Sequence, residues 1–308
     1  MCDRNSAIEL YRMMLMFGIC VLHALGIKDH RWAVYSLLFL VDAFVFITGY
    51  YGVTLTRRRL FSLSINVVYC LWVAGIFNKV FYGEDILKTM STIWSTMWFV
   101  HAYFLLLMFA PLINFIFENC SLKKCLTLLT PILVAVFGWG WLSTVPIIRR
   151  IIPVQNGLVA YSGITLIGVY IIARMVRISN IEKKIPMWIT IVLFVISLAF
   201  APLGLARYNS PIAVIMAFTS FTIFNSLRIP DWFGKRLILI GPSLFSVYLL
   251  HSNEAVGFRI IRVIIEWCNT GIAGCFVAAA SVFVGCIILD IPRRVICSRI
   301  VMKCCKKA

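Results

Sequence analysis

The feature that most constrains this chain is a succession of apolar runs. Each is ~18–24 residues long, enough to cross the hydrocarbon of a bilayer as an α-helix. They fall near 7–27, 33–55, 61–82, 97–117, 126–146, 155–177, 186–203, 209–228, 236–252 and 271–292. In hydrocarbon every backbone N–H and C=O must be paired within its own segment, so such runs specify helices rather than open strands. Ten spans use about 200 residues at ~20 each, out of 308. The rest suffices for short loops and a tail. The expected fold is an all-α integral membrane protein of about ten transmembrane helices, with residues 1–308 forming one transmembrane domain.

Composition excludes the alternatives. Hydrophobic residues make up 62% and charged residues 13%, against roughly 45–50% and about 25% in a soluble domain. A water-soluble core and a disordered chain are both excluded. The formal charge is +17, from 29 Lys+Arg against 12 Asp+Glu. In a membrane protein this reads as basic loops that hold the cytoplasmic side, so no nucleic-acid partner is expected. Eleven cysteines are present. Cys20, Cys70, Cys275 and Cys286 lie inside apolar runs, where a thiol acts as a small hydrophobe. No spacing resembles a zinc site or a disulfide framework, so no metal is expected.

The separators are polar and short. Lys28–Trp32 is a tight first loop, Thr56–Leu60 reads TRRRL, Gly83–Thr96 reads as a longer polar loop, and Glu118–Cys125 reads ENCSLKKC. Arg177–Pro186 and Arg228–Arg236 are basic, and Glu254–Thr270 is amphipathic, suited to lying flat at the interface rather than spanning. No internal repeat is visible. The first run has signal-peptide features, but Glu9 and Arg12 precede its apolar stretch and a second span follows at once, so it is expected to stay as an uncleaved helix. With the N-terminus inside, 19 basic residues fall in inner segments and 9 in outer ones, with Arg12 inside a span. That bias predicts both termini in the cytoplasm.

Ionisable side chains within spans are costly in a membrane and become functional candidates. Arg12 and His23 are eleven steps apart in the first run. On a helix they lie within about 20° of one face and ~16 Å apart along the axis. Glu9 precedes Arg12 by three and can pair with it. One stripe thus carries a cation near the inner face and an imidazole near the outer face. Snorkelling of Arg12 to headgroups and interfacial anchoring of the histidine are the simpler alternatives.

On this topology all four histidines fall in the outer half. His30 is in the first outer loop, His101 lies a turn into the fourth span, and His251 ends the ninth, followed by Glu254. Asp42 lies about nine residues into the second span. The candidate site is an outward polar cavity that His23, Asp42 and His251 are expected to line, with His101, His251 and Glu254 on its acceptor side. Trp32, Trp94, Trp98, Trp139, Trp141 and Trp267 lean to the outer face and Trp188 and Trp232 to the inner. An even interfacial belt would not lean so; a carbohydrate platform would.

These residues also carry a resemblance. IELYRMMLMFGICVLH resembles the first helix of the membrane acyltransferase-3 family, whose hallmark is Arg-x10-His, here Arg12 and His23. LVDAFVFITGYYGV resembles its second helix, with Thr48, Gly49 and Tyr50 matching a Ser/Thr-Gly-Tyr ending. TMWFVHAYFLLLMFAPLIN resembles a later helix through Trp98, Phe99, Ala102, Tyr103 and Pro111, and SVYLLHSNEAV a late Tyr-Leu-x-His segment through Tyr248, Leu249 and His251. His101 and Glu254 are departures or variable positions. The four blocks run in family order from residue 8 to residue 256.

The resemblance implies a ten-helix bacterial inner-membrane O-acyltransferase, with acetyl the expected group. Cytoplasmic acetyl-CoA would be the donor, with no tightly bound cofactor. The acceptor would be a hydroxyl of a surface glycan or lipid-linked oligosaccharide. The residues then take roles: His23 as base or transient acyl carrier, Asp42 as the carboxylate that orients it, and Arg12 as the cation for the donor. Arg57, Arg58 and Arg59 would bind the phosphates of CoA, or hold the positive side. The rival of a different class is a glycolipid or polysaccharide transporter or flippase, which would also need intramembrane charges. A metal site from His23, His101, His251 and Asp42 is a second rival.

Overall fold

The computed structural model of the chain describes residues 5–142, 163–203, 207–268 and 271–305. Every regular element among them is helical. In chain order these are α1 (Ser6–Ile27), α2 (Arg31–Leu37), α3 (Phe39–Tyr51), α4 (Arg57–Tyr82), α5 (Ile86–Thr96), α6 (Trp98–Asn119) and α7 (Leu122–Leu133). They continue with α8 (Gly163–Ser179), α9 (Ile181–Lys184), α10 (Met187–Phe200), α11 (Pro211–Asn225), α12 (Asp231–Ile240), α13 (Leu244–His251), α14 (Gly257–Cys268) and α15 (Gly271–Cys305).

Seven stretches among the described residues are long and apolar enough to cross a membrane: Ser6–Ile27, Arg31–Tyr51, Arg57–Tyr82, Trp98–Asn119, Leu122–Gly140, Asp231–His251 and Gly271–Ile296. Met187–Leu203 and Pro211–Asn225 are shorter apolar helices. The chain is a multi-pass helical membrane protein. The expected spans 126–146 and 155–177 extend partly beyond the described residues, and Arg149 and Arg150 lie outside them. The second expected span is two helices in line, with the break at Leu38.

Burial differs sharply among the seven. Half or more of Ser6–Ile27 (50%), Arg31–Tyr51 (61%) and Asp231–His251 (56%) is buried, against 39% or less of each of the others. Those three stretches carry Arg12 with His23, Asp42, and His251. The others present broad apolar faces, as Val80, Met108 and Val284 do on separate helices; such faces suit lipid.

The Gly83–Thr96 segment is not a loop throughout. Residues Ile86–Thr96 form α5, capped by Asp85, whose Oδ1 accepts from the Lys88 N–H at 2.8 Å. Span length conceals a helix of this size. Its cap and the four-residue spacing of buried Thr89 and Ile93 are the signals that reveal it. Gly83, with φ +70°, ends α4 in the left-handed conformation that only glycine adopts freely.

The described chain packs as two compact units interleaved in sequence. One comprises residues 1–29, 56–97 and 230–308. Here α1 is the hub, packed by α12, α13, α14 and α15. The amphipathic Glu254–Thr270 stretch appears as α14, ~18 Å long and too short to span. It buries Ile261 and Ile265 against the unit and leaves Val263 and Trp267 exposed.

The other unit comprises residues 30–55 and 98–229. Here α3 packs between α8 and α11. Gly49 permits the closest approach: a Cβ there would stand 2.7 Å from the Tyr170 carbonyl oxygen. Small residues at such crossings let membrane helices pack by dispersion. Beyond α3 the chain is clamped by hydrogen bonds. Asn114 Nδ2 donates to the Val53 carbonyl (2.9 Å), Tyr170 Oη to Asn114 Oδ1 (2.8 Å), and the Val53 N–H to Tyr170 Oη (3.0 Å).

Candidate active site

Asn5 caps α1, its Oδ1 accepting from the Ala7 N–H at 2.9 Å. The helix then runs unbroken to Ile27. Arg12 and His23 therefore share one rigid rod, ~16 Å apart along it. Arg12 Nη1 pairs with Glu9 Oε1 at 3.3 Å. The Arg12 side chain is 37% exposed and that of Glu9 7%, so a buried carboxylate holds a cation whose other N–H groups remain accessible. Gly241 leaves the room for this carboxylate, since a Cβ there would collide with Glu9 Oε2.

At the other end of the rod, His23 meets His251. Their rings lie 5.0 Å apart between centroids, and His23 Nδ1 is 3.0 Å from His251 Nε2. His251 Nδ1 is 2.7 Å from the Val247 carbonyl oxygen. A carbonyl only accepts, so Nδ1 of His251 carries the proton. With both rings neutral, His251 Nε2 is then an acceptor, and His23 Nδ1 donates to it. His23 Nε2 is left with the lone pair. His251 is fully buried, whereas His23 is partly exposed. The pair thus presents one basic nitrogen, held by a buried relay to the backbone.

The surroundings fix both rings. Phe258 packs edge-on against His23 at 5.1 Å. Asn253 Nδ2 donates to the carbonyls of Leu249 and Leu250, and its Oδ1 accepts from the Val256 N–H. The side chain satisfies the carbonyls left open where α13 ends. Gly257 lies directly against the His251 backbone, where a Cβ would overlap the carbonyl group. Gly257→Ala is therefore expected to push His251 out of register. Overpacking of this kind costs ~1–3 kcal/mol, read as a lower melting temperature in detergent together with lost activity.

Farther along α13, Ser246 Oγ donates to Asn66 Oδ1 on α4 at 2.7 Å. Arg293 grips Asp290 with two bonds, at 2.6 and 2.9 Å, and donates to the Pro242 carbonyl at 3.2 Å. Both partners of this ion pair are buried. Such a pair is retained when each charge is paired and hydrogen-bonded. It anchors the turn from α12 to α13, which aims His251.

Of the residues singled out from the sequence, the structure thus joins His23 to His251 directly and sets Arg12 on the same helix. Glu254, three residues beyond His251, is exposed and lines a neighbouring cavity. Arg57, Arg58 and Arg59 are exposed in the first turn of α4. A cation there opposes the helix dipole, so helix stability does not explain them. Asp42 and His101 belong to the other unit. Asp42 is fully buried, with neither carboxylate oxygen hydrogen-bonded, and His101 is exposed. At Nδ1 of His23 the hydrogen-bonding position is held by His251.

Thr48, Gly49 and Tyr50 serve packing in their unit. Tyr50 Oη donates to Glu182 Oε1 (2.8 Å) and accepts from Arg177 (3.1 Å). Sequence reasoning missed Asn253, Gly257, Phe258 and the Asp290–Arg293 pair. Asp290, an acid near the end of an apolar run with arginine three residues on, was the one legible signal. No group of three or more His, Cys, Asp or Glu among the described residues is placed to hold a metal ion.

A multi-pass helical membrane protein with a basic imidazole and an arginine on one helix is the class this geometry defines. Over residues 5–291 the chain matches the model of the acyltransferase-3 family, described as an acyltransferase domain. The chain belongs to that family and is a membrane acyltransferase. Comparison with curated proteins and with solved structures finds no match.

Proposed function

We propose that the protein transfers an acetyl group from cytoplasmic acetyl-CoA to a hydroxyl of a surface or lipid-linked carbohydrate at the outer face of a bacterial inner membrane. The reading includes ten spans with both termini inside, as the distribution of basic residues favours. The observation that carries it is the His23–His251 pair, which leaves one lone pair at His23 Nε2.

A sugar hydroxyl is a weak nucleophile until its proton is taken. His23 Nε2 accepts that proton as the oxygen attacks the thioester carbonyl. The new C–O bond forms, the C–S bond breaks, and the departing thiolate of CoA takes the proton back from His23. While His23 is cationic, its Nδ1–H bond to His251 stabilises the charge, as a carboxylate does in a triad. His251 is thus the positioning residue in this reading, the role the sequence suggested for Asp42. Arg12, held by Glu9, offers its accessible N–H groups to the donor from the inner side. Arg57, Arg58 and Arg59 offer a second set of donors to the phosphates of CoA.

The test is turnover in proteoliposomes with radiolabelled acetyl-CoA inside and a glycan mixture outside. The expected result is label on glycan and release of free CoA. Movement of glycolipid across the bilayer without CoA consumption would replace this reading with the transporter.

A further inference from the structure

The unit of residues 30–55 and 98–229 holds a pair of cations that the acyl-transfer steps leave unused. Arg174 and Arg177 are three residues apart on α8, so they share one face of the helix. Both guanidinium groups lie against the end of α3. Arg177 Nη1 donates to Tyr50 Oη at 3.1 Å, and its guanidinium carbon lies 5.0 Å from the centre of the Tyr50 ring. Arg174 Nη1 lies against Gly52, where a Cβ would stand 3.0 Å from it. Gly52 therefore leaves open the space that Arg174 uses.

The two arginines differ in what holds them. Arg177 is in the last turn of α8, where a cation complements the helix dipole. Tyr50 links it to Glu182, a buried carboxylate that accepts from Tyr50 Oη at 2.8 Å. Arg174 has no such support. It forms no hydrogen bond or ion pair among the described residues, and its Nε is enclosed without an acceptor. The residue as a whole is partly exposed, so its terminal N–H groups can be reached from outside. Lys183 and Lys184 are exposed on α9, so residues 174–184 carry four cations against the one carboxylate of Glu182. An anion meets a net attractive field here, and a phosphate supplies the acceptors that a guanidinium fork fits.

The surroundings of these cations are apolar. Ile178 follows Arg177 and Ile181 opens α9, and both are exposed. Trp188, exposed at the start of α10, is a residue type that settles at headgroup depth. A soluble phosphate ester gains nothing from exposed isoleucines, whereas acyl chains do. Basic pockets at the ends of membrane helices suit anionic headgroups.

We propose that Arg174 and Arg177 bind the phosphate of an anionic phospholipid at this end of α8. Arg174 supplies a two-pronged contact, and Arg177 adds the N–H groups that Tyr50 leaves free. The site goes beyond acyl transfer and does not depend on it.

Native mass spectrometry of the full chain in detergent reads the binding. The probes are phosphatidylglycerol, phosphatidylcholine, diacylglycerol and, as a soluble carrier of phosphate, CoA. Phosphatidylglycerol is expected to bind at least tenfold more tightly than phosphatidylcholine or diacylglycerol, and CoA is expected not to displace it. Arg174→Ala is expected to weaken phosphatidylglycerol binding tenfold or more. Lys235→Ala, at an exposed lysine of the other unit, is expected to leave it unchanged. Arg174→Ala gives up no hydrogen bond among the described residues. Its melting temperature without added lipid is therefore expected to match the parent's, while the rise that phosphatidylglycerol gives the parent is lost. Should Arg174→Ala fail to fold, Arg177→Ala, at an exposed position, carries the test with the same expected loss. Equal binding by the parent and the arginine variants, an equal loss in Lys235→Ala, no preference over phosphatidylcholine, or displacement by CoA overturns the proposal.

Discussion

His23→Ala is expected to abolish acetyl transfer while the protein still inserts and folds. General-base catalysis contributes ~10²–10⁴-fold, and the proposed base is a single nitrogen near the end of α1. His251 is fully buried, so its Nε2 lone pair is less accessible to an acceptor hydroxyl than that of His23. Insertion depends on the apolar run Met13–Leu22, which the substitution leaves intact. The structural cost is one unpaired acceptor, His251 Nε2, worth ~1–3 kcal/mol when buried. The measurements are glycan acetylation in cells, detergent-solubilised yield and melting temperature. Near-normal acetylation would remove His23 from the chemistry. His251→Ala is expected to fall between the parent and His23→Ala, with kcat reduced more than acceptor KM rises, because it frees the ring of His23 without removing the nucleophile's proton acceptor. In the parent, activity is expected to fall on acidification as imidazole nitrogen is protonated.

The helices were legible because membrane spans are written in one dimension, as runs of sufficient length. The Arg12–His23 stripe was legible for the same reason, since both residues lie on one helix and the period of that helix is known. The partner of His23 was not. His251 stands 228 positions away, and nothing in its neighbourhood distinguishes a histidine that holds another ring from one that lines a cavity. A carboxylate is the commoner partner, and Asp42 at a suitable depth was therefore the natural expectation. Charge was misleading in a second way. Arg293 counts in sequence as one more basic residue of an inner tail, yet in three dimensions it pairs with Asp290 through Nε and Nη2, and Nη2 also donates to the Pro242 carbonyl. The requirement for glycine at 257 was illegible too, because it comes from the backbone of His251 rather than from a turn of its own. Helix α5 lies hidden in the Gly83–Thr96 segment, which reads as a polar loop, since α5 is too short to register against spans twice its length.

Arg12→Lys is expected not to restore what Arg12→Ala loses. Lysine keeps the charge, so a residue that only snorkels to headgroups or marks the positive side would tolerate it. A guanidinium held by Glu9 on one N–H, with its others turned to a phosphate or to a developing negative charge, uses a planar fork that an ammonium cannot reproduce. The length of the rod sets the sidedness of the defect. Arg12 lies about three turns of α1 from His23, so in the proposed orientation it serves the inner donor and not the outer acceptor. Both substitutions are therefore expected to raise the acetyl-CoA KM and lower turnover by tenfold or more, while affinity for the glycan holds. Arg12→Ala also strands the buried Glu9 carboxylate, so its melting temperature is expected to fall further than that of Arg12→Lys, which still offers Glu9 a cation. A melting temperature rescued by lysine without rescue of turnover separates the structural part of the pair from its part in catalysis. Full activity in Arg12→Lys would reduce Arg12 to an electrostatic anchor, and a loss confined to glycan binding would mean that the donor and acceptor ends of α1 are reversed.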